Sequence, residues 1–371
     1  MTEKDPNDLK FSDDLGEEKE KKEIPTEERK LVTQAYDKSV SDLVTSMNDE
    51  EIILNPEYQR QYIWDNKKAS LLIESILLNV PIPVIYTSEE EDGKWSVIDG
   101  LQRLYSLQRF FLNEFKLTGL EVLTELNKQT FKDLNPKAKR IIKNGIIRII
   151  LIFKESNPEI KYDIFMRLNR GAVKLSEQEL RNCLYRGKLN DLVKSLRQDR
   201  KYLAILGLAR PHKRMTDGEL ILRYLALSEN INRSDFTLKT YPGKMKTFLN
   251  DFIDSNRNPS EDKLTELETR FLTTLEKVND IFGKNAFRKI YTDGTFDKAL
   301  NRSIMDSVMI GFENYDRKLL TSRKEDIIKL LTHLVNKDNK FADSISVATS
   351  DKKKIQDRLR IFSENLSQIL S

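Results

Sequence analysis

Apolar positions in the first half of the chain follow helix spacing in some stretches and strand spacing in others. Between residues 69 and 80 apolar side chains recur at helical spacing, and Pro81 ends the predicted amphipathic helix. The stretch PVIYTSEEEDGKWSVID, residues 83–99, predicts a hairpin with its turn at the Asp-Gly pair. A second amphipathic helix follows directly, and GIIRIILIF, residues 145–153, predicts a strand.

Helical periodicity dominates the rest of the chain, where strand signals are scarce. Asn157 and Pro158 predict a helix start, and Gly171 predicts its end. Ser176 and Glu179 form a capping-box pattern that begins the next helix. Three later stretches have the apolar spacing of amphipathic helices: TDGELILRYLALSE, LTELETRFLTTLEKVNDIFG and KEDIIKLLTHLVNK.

These periodicities predict an α+β fold in which a small mixed domain precedes a mostly α-helical one. Residues 1–30 have dense mixed charge and few large apolar side chains, so we expect a disordered tail there. The mixed domain is then expected at residues 31–155 and the helical domain at residues 156–371.

The charge balance permits a polyanionic ligand without requiring one. The 371-residue chain has a net charge of +4, but residues 1–30 contain 11 acidic and 7 basic side chains. The remainder therefore has 56 basic against 48 acidic residues, a charge of about +8. A mildly basic body of this kind is compatible with binding a nucleotide or a nucleic acid.

Cysteine and histidine usage excludes several classes of site. Cys183 is the only cysteine, which excludes an intramolecular disulfide and a multi-cysteine zinc site and fits a cytoplasmic protein. His212 and His333 are too few for nuclease motifs that combine a histidine base with histidine metal ligands. No apolar run reaches the roughly 18 residues that a membrane span requires. Carboxylates, amides and arginines must therefore carry any chemistry.

One candidate site is VIDGLQR, residues 97–103, at the predicted junction of a strand and a helix. A helix N-terminus has unpaired N–H groups and a partial positive charge, and a glycine there lets a phosphate approach the main chain. Arg103 can donate paired hydrogen bonds to phosphate, and Asp99 can hold Mg²⁺ or orient Arg103. The same pattern also fits a plain turn in which Asp99 caps the helix and Arg103 lies in solvent.

Two further clusters have the same ambiguity. The stretch NPEYQRQYIW, residues 55–64, combines aromatic rings with glutamines and Arg60, which suits a nucleobase or, alternatively, an apolar anchor at a domain edge. The stretch IFMRLNRGAVKLSEQELRNCLY, residues 164–185, gathers arginines and asparagines around a predicted connection between helices. These side chains, Arg181 and Asn182 among them, can clamp an anion or serve as caps and exposed charges.

In this order, and followed by RMTDGELILRYLAL, the three clusters resemble the N-terminal domain family of GmrSD-type modification-dependent restriction enzymes. That domain is similar to the ParB and sulfiredoxin fold, and the resemblance covers about residues 35–230. It implies a nucleotide-binding and hydrolysing domain of bacterial anti-phage defence. It also implies an Asp-Gly-Gln-Gln-Arg motif at the nucleotide phosphates.

By this resemblance the motif corresponds here to Asp99, Gly100, Leu101, Gln102 and Arg103. Gly100 would then cradle phosphate and Arg103 would neutralise it, while Gln102 would contact the nucleotide or the attacking water. Asp99 would hold Mg²⁺. Leu101 replaces the first glutamine of the motif, and leucine neither donates nor accepts a hydrogen bond. The sequence therefore supports nucleotide binding more strongly than hydrolysis.

Two other boxes of the family have counterparts in this chain. Tyr58, Gln59 and Arg60 match the first box, and Arg167 and Asn169 match a Phe-x-Arg-Leu-Asn segment. The resemblance implies that these five residues also contact the nucleotide.

The leading interpretation is a defence protein that binds, and by the resemblance hydrolyses, a nucleoside triphosphate with Mg²⁺ on or near DNA. The alternative is a non-catalytic DNA-binding or scaffolding module that recruits a partner nuclease. Larger family members often carry an HNH-like nuclease, for which this chain lacks the histidines. A nuclease built from carboxylates around Mg²⁺ has the weakest support, because no spacing in the sequence favours it.

Overall fold

The computed structural model describes residues 9–13, 30–54, 64–168 and 176–371. The chain divides into two compact units. Glu23–Leu175 form the sheet unit, and Met1–Lys22 together with Ser176–Ser371 form the helical unit. The described residues of the first contain a mixed β-sheet with helices, and those of the second are mostly helical. The predicted α+β class is therefore confirmed.

The sheet of the first unit has five described strands. They are β1 Thr33–Ser39, β2 Ile52–Ile53, β3 Ile85–Glu89, β4 Trp95–Asp99 and β5 Ile146–Ile152. Their order across the sheet is β1-β5-β3-β4-β2. β1 pairs antiparallel with β5, as does β3 with β4, whereas β3 with β5 and β2 with β4 are parallel. β4 therefore lies beside the central strand, and its end leads into the candidate site.

Four helices of the sheet unit share one hydrophobic core with this sheet. They are α1 Val40–Asn48, α2 Asn66–Leu77, α3 Leu101–Phe111 and α4 Pro136–Asn144. A fifth helix, α5 Pro158–Leu168, lies outside that core, and 3₁₀ turns span Thr124–Leu126 and Phe131–Asp133. Leu43, Ile73, Leu107 and Ile142 come from α1 to α4 in turn and are fully buried with Ile149 of β5. The apolar side of each of these four helices thus packs in the core that they share with the sheet.

Local sequence explains where these elements begin and end. Asp65 caps α2 by accepting from the Lys68 N–H at 2.8 Å, and α2 ends at Leu77, before Pro81. Gly93 adopts a φ of 81° in the β3–β4 turn, so the predicted hairpin is confirmed. The predicted strand at 145–153 is confirmed as β5, and Asn157 accepts from the Ile160 N–H at 3.2 Å at the start of α5.

Strand β1 was not among the predicted elements. Its sequence, TQAYDKS, is polar, and no residue in it is buried. It lies at the edge of the sheet and pairs with β5 from Thr33↔Ile152 to Ser39↔Ile146. Because an edge strand has one paired side only, it needs no apolar pattern, and the partner that makes it a strand is far away in sequence.

The described part of the helical unit contains eleven helices. They are α6 Glu177–Leu184, α7 Lys188–Leu196, α8 Arg200–Leu206, α9 Thr216–Asn230, α10 Met245–Ser255, α11 Glu261–Phe282, α12 Arg302–Phe312, α13 Arg317–Ser322, α14 Lys324–Lys337, α15 Asn339–Ser344 and α16 Lys352–Leu370, with a 3₁₀ turn at Gly283–Asn285. α9 and α12 are central, since most residues of α9 and nearly all residues of α12 are buried.

The sequence signals for this unit agree with the structure where it is described. Ser176 and Glu179 form the predicted capping box at the start of α6. The stop predicted at Gly171 lies outside the described residues. None of the helices in the described ranges has both the length and the apolar character that a membrane crossing requires.

Candidate functional site

The turn between β4 and α3 has an irregular backbone. Thr87 pairs with Val97, but the next pair is Tyr86 with Asp99, so the register shifts by one residue at the end of β4. Such bulges redirect the side chains that follow them and are common beside functional sites. Gly100 then turns the chain through the left-handed region, with φ 96° and ψ 10°, and α3 begins at the next residue.

Glycine is the residue type that fits position 100. Its φ is positive, and a β-carbon would lie 2.7 Å from Ile85 Cγ1 and 3.2 Å from Arg103 Nη2. Because the N-cap residue is a glycine, it provides no side-chain hydrogen bond to the first turn of α3. The helix terminus therefore presents main-chain N–H groups and the positive end of its dipole beside a residue that has no side chain.

Arg103 is held in place on the same turn. Its Nη2 donates to Asp99 Oδ2 at 2.7 Å, and its Nη1 donates to the carbonyl oxygens of Val84, at 3.3 Å, and of Pro83. The Arg103 side chain is 12% exposed and that of Asp99 is 40% exposed. Asp99 therefore orients the guanidinium, Gly100 and not Asp99 is the N-cap of α3, and Arg103 is largely buried.

Gln102 connects the turn to the first sequence cluster. Its Oε1 accepts from the Trp64 main-chain N–H at 3.3 Å. Trp64 is the last residue of the NPEYQRQYIW stretch, so the end of that stretch meets the first turn of α3. Leu101, beside Gln102, packs partly buried against the hydrophobic core. Tyr58, Gln59 and Arg60 lie outside the described residues.

A known protein family matches the part of the chain that contains this turn. Residues 40–186 match the family described as the GmrSD restriction endonuclease, N-terminal domain. Over these residues the chain is similar to a GmrSD-type N-terminal domain. The suspected resemblance is thereby confirmed over these residues. The domain is one of restriction-type anti-phage defence proteins. No curated protein and no solved structure matches the chain.

The third cluster of the GmrSD-type domain is only partly described. Arg167 lies in the last turn of α5 and is exposed, whereas Asn169 lies outside the described residues. The structure therefore neither brings these two residues to the Asp99–Arg103 turn nor separates them from it.

The C-terminal end of the same cluster has a structural role in the helical unit. Arg181 is fully buried, and its guanidinium donates to Asn250 at 2.8 Å, Glu219 at 2.8 Å and Glu177 at 3.2 Å. Asn182 Nδ2 donates to Met215 Sδ at 2.6 Å. Arg181 thus joins α6 to α9 and α10, and its hydrogen bonds leave no role as an exposed anion clamp.

Sequence reasoning missed the main-chain partners of the site. The carbonyl groups of Pro83 and Val84 hold Arg103, and the main chain of Trp64 holds Gln102. Main-chain atoms are the same in every residue, so the sequence does not mark them. The only available signal was the proline-rich NVPIPV stretch before β3, which precedes a strand in extended conformation.

Metal ligation at the turn rests on one carboxylate. In the described ranges no three or more histidine, cysteine, aspartate or glutamate side chains form a group that could hold a metal ion. Asp99 has one oxygen on Arg103 and 40% of its side chain exposed. Any Mg²⁺ at the turn would therefore depend on Asp99 together with substrate phosphates.

Proposed function

We propose that the GmrSD-type domain binds the phosphates of a nucleoside triphosphate at the Asp99–Arg103 turn, as part of a restriction-type defence protein. The observation that supports this is the turn itself, in which a left-handed glycine precedes a helix terminus without a side-chain cap and an oriented arginine lies beside it. Helix termini of this kind bind phosphate groups through their N–H groups and dipole.

The residues of the turn have different roles in the proposed binding of phosphate. A guanidinium has five N–H donors, and Arg103 directs donors to Asp99 and to two carbonyl groups. The guanidinium is thereby held at 12% exposure with its charge balanced by Asp99, so its contribution to phosphate binding is that of directed N–H donors. Asp99 is the residue that would hold Mg²⁺, and the ion would supply positive charge against the phosphates.

Hydrolysis is a separate part of the proposal and depends on Gln102. In the family motif two adjacent glutamines are available, but here Leu101 occupies the first position. Gln102 Oε1 accepts a hydrogen bond from the Trp64 N–H. In this proposal Gln102 therefore both holds the end of the first cluster and contacts the ligand. We infer that Tyr58, Gln59 and Arg60, which precede Trp64 in sequence, complete the site, together with Arg167 and Asn169.

Isothermal titration with each of the four ribonucleoside triphosphates and Mg²⁺ tests the binding. We expect wild type to bind at least one of them, and Arg103→Ala to weaken that binding about tenfold or more, because a charge-assisted hydrogen bond contributes about 1.5–3 kcal/mol. Arg148→Ala is the matched control, since Arg148 also pairs with an aspartate, Asp37, at 2.7 Å, but this pair joins β5 to the edge strand β1 and is not part of the turn. Absence of binding by wild type, or equal losses in both variants, would contradict the proposal.

A basic surface on α4 favours DNA contact as a second function of the same domain. Residues 128–148 contain seven basic side chains and one acidic side chain, Asp133. Lys137, Arg140 and Lys143 are exposed and make no hydrogen bond or ion pair in the described structure. Asp133 accepts from the Thr130 hydroxyl at 2.7 Å. The cations of α4 are therefore available to the phosphates of a duplex.

The salt dependence of affinity for a DNA duplex tests this second function. We expect the affinity of wild type to fall steeply with salt concentration, and Arg140→Ala to reduce the slope by about one, as the loss of one phosphate contact does. Lys94→Ala is the control, because Lys94 lies 4.0 Å from Asp92 in the acidic β3–β4 turn. A flat salt dependence in wild type, or the same slope in wild type and Arg140→Ala, would rule out phosphate contact by α4.

A further inference from the structure

Residues 9–13, with the sequence LKFSD, lie in a groove of the helical unit beside the start of α12. Phe11 and Leu300 form a parallel β-bridge. The Leu300 N–H donates to the Lys10 carbonyl at 2.8 Å, and the Ser12 N–H donates to the Leu300 carbonyl at 2.8 Å. An extended segment that pairs through its main chain and inserts alternate side chains is a recurring mode of peptide recognition.

Phe11 is the apolar anchor of this segment. Its ring lines a small cavity with Leu206, Leu220, Phe287, Leu300 and Met305. The Arg302 guanidinium carbon lies 3.7 Å from the centre of the ring. A cation over an aromatic face adds to the burial of the ring, so the groove favours an aromatic side chain at this position.

Asp13 is the polar anchor, two residues after Phe11. It is 4% exposed, and its Oδ2 accepts from the Ser303 N–H at 3.3 Å and from the Ser303 hydroxyl at 3.4 Å. Its Oδ1 lies 3.6 Å from Arg302 Nη1. Ser303 is in the first turn of α12, where a carboxylate is stabilised by the helix dipole.

Asp13 also balances buried charge deeper in the helical unit. Arg223 and Arg358 are both buried and share the carboxylate of Asp306, at 2.7 Å and 2.6 Å. Asp13 acts electrostatically on both arginines. Two buried cations with one carboxylate leave a net positive charge, which the docked Asp13 offsets. The groove is therefore selective for an acidic residue as well as an aromatic one.

We propose that this groove is a peptide-docking site that recognises an extended Phe-x-Asp segment, and that residues 9–13 are its exchangeable ligand within the chain. The chain runs from this segment into the sheet unit and returns to the helical unit at α6. The proposal is independent of nucleotide and DNA binding.

A labelled peptide and an anchor variant test the docking. Fluorescence anisotropy would measure binding of a labelled peptide with the sequence of residues 6–16 to the full chain and to its Phe11→Ala variant. We expect the variant to bind the peptide at least about tenfold more tightly, because in wild type the chain's own segment competes at an effective concentration near millimolar. A peptide with alanine in place of Phe11 is the control and should bind neither protein.

Equal affinity of the peptide for wild type and the variant, or no binding to a folded variant, would overturn the proposal. Ser12→Pro is a second way to empty the groove, because proline lacks the N–H that pairs with Leu300 and leaves every groove side chain intact. As a separate measurement, a peptide with benzoylphenylalanine at the Phe11 position should crosslink to residues 300–305 of the Phe11→Ala variant, in which the groove has lost its own anchor. Crosslinks elsewhere, or none, would equally refute the docking site.

Discussion

At the scale of single residues, Gly100 and Arg103 depend on each other. The Arg103 guanidinium lies where the β-carbon of any other residue at position 100 would approach it to 3.2 Å. The absence of a side chain at Gly100 therefore both permits the left-handed turn and gives Arg103 its place against Asp99. A phosphate approaching the turn would meet the helix terminus and the guanidinium together.

Gly100→Ala should therefore destabilise the protein and move Arg103. We expect a loss of about 2–4 kcal/mol in the free energy of unfolding, from left-handed strain and from the overlap with Ile85. Gly93→Ala is the matched control, because Gly93 also has a positive φ, 81°, but no atom within 4 Å of the added β-carbon. Chemical denaturation should give a smaller loss for that variant, about 1–2 kcal/mol. Equal losses would show that contact with Ile85 contributes nothing.

Leu101→Gln tests the hydrolytic part of the proposal. It restores the side chain that the family motif has at this position, and glutamine can position a water molecule whereas leucine cannot. We expect a faster release of inorganic phosphate from the bound triphosphate than in wild type. We also expect a small loss of stability, about 1 kcal/mol, because Leu101 packs against the core. If the variant still binds the nucleotide but releases phosphate no faster than wild type, hydrolysis does not depend on the residue at position 101.

At the scale of elements, α2 organises the irregular loop that follows α3. The buried carboxylate of Glu74 accepts from the N–H groups of Glu121 at 3.2 Å, Val122 at 2.9 Å and Leu123 at 2.8 Å. Burial raises the pKa of this carboxyl, but the three N–H groups outweigh it and hold the pKa below its ordinary value. One side chain thus accepts hydrogen bonds from three successive main-chain N–H groups of a segment that has no regular secondary structure.

Glu74→Gln should destabilise the protein in a pH-dependent way. At neutral pH we expect a loss of about 1–3 kcal/mol, because the amide offers the loop one acceptor and a donor that clashes with N–H groups. The Glu74 pKa is lowered in the folded state, so its contribution is complete above the ordinary value of 4.5 and disappears as the pH falls through the folded value. Denaturation at pH 7 and at pH 3 should show the difference between variant and wild type shrinking in acid. A difference that is constant with pH would contradict this account.

The elements differ in how far the sequence predicted them. The hairpin, α3 and β5 follow from local signals: a turn glycine, helical periodicity and a β-branched run. β1 does not, because a polar edge strand exists only through its pairing with β5, more than a hundred residues away in sequence. For the same reason the charged N-terminal stretch carried no sign of a docked segment, since the groove that receives residues 9–13 is built from α8, α9 and α12.

At the scale of the whole molecule, buried ion pairs join distant parts of the helical unit. Asp306 of α12 receives Arg223 from α9 and Arg358 from α16. Burial raises the pKa of the Asp306 carboxyl, but the two arginines outweigh it and keep the pKa below its ordinary range. Removing the carboxylate would leave two buried cations without their shared partner.

Asp306→Asn should therefore be among the most destabilising polar substitutions in the chain. We expect a loss of about 3–5 kcal/mol in the free energy of unfolding. Glu261→Gln is the control, since Glu261 pairs with Lys188 at 2.6 Å but both side chains are more than half exposed, which limits its loss to about 1 kcal/mol. Denaturation followed by circular dichroism would measure both. Similar losses in the two variants would show that the buried triad contributes no more than a surface pair.

The sequence by itself determined the α+β class, several of the helices with their capping residues, and the Asp-Gly-x-Gln-Arg turn as the place to look for a phosphate. These features depend on neighbours within a few residues, through periodicity, capping and the conformational freedom of glycine. Only the tertiary structure decided what the arginines do. Arg103 is oriented at the turn by carbonyl groups from the β3 entry, whereas Arg181 is buried among partners from its own helix and from two others. Both arginines lie four residues after an acidic residue with which they pair, and the difference arises from burial and from partners that the fold brings from far along the chain.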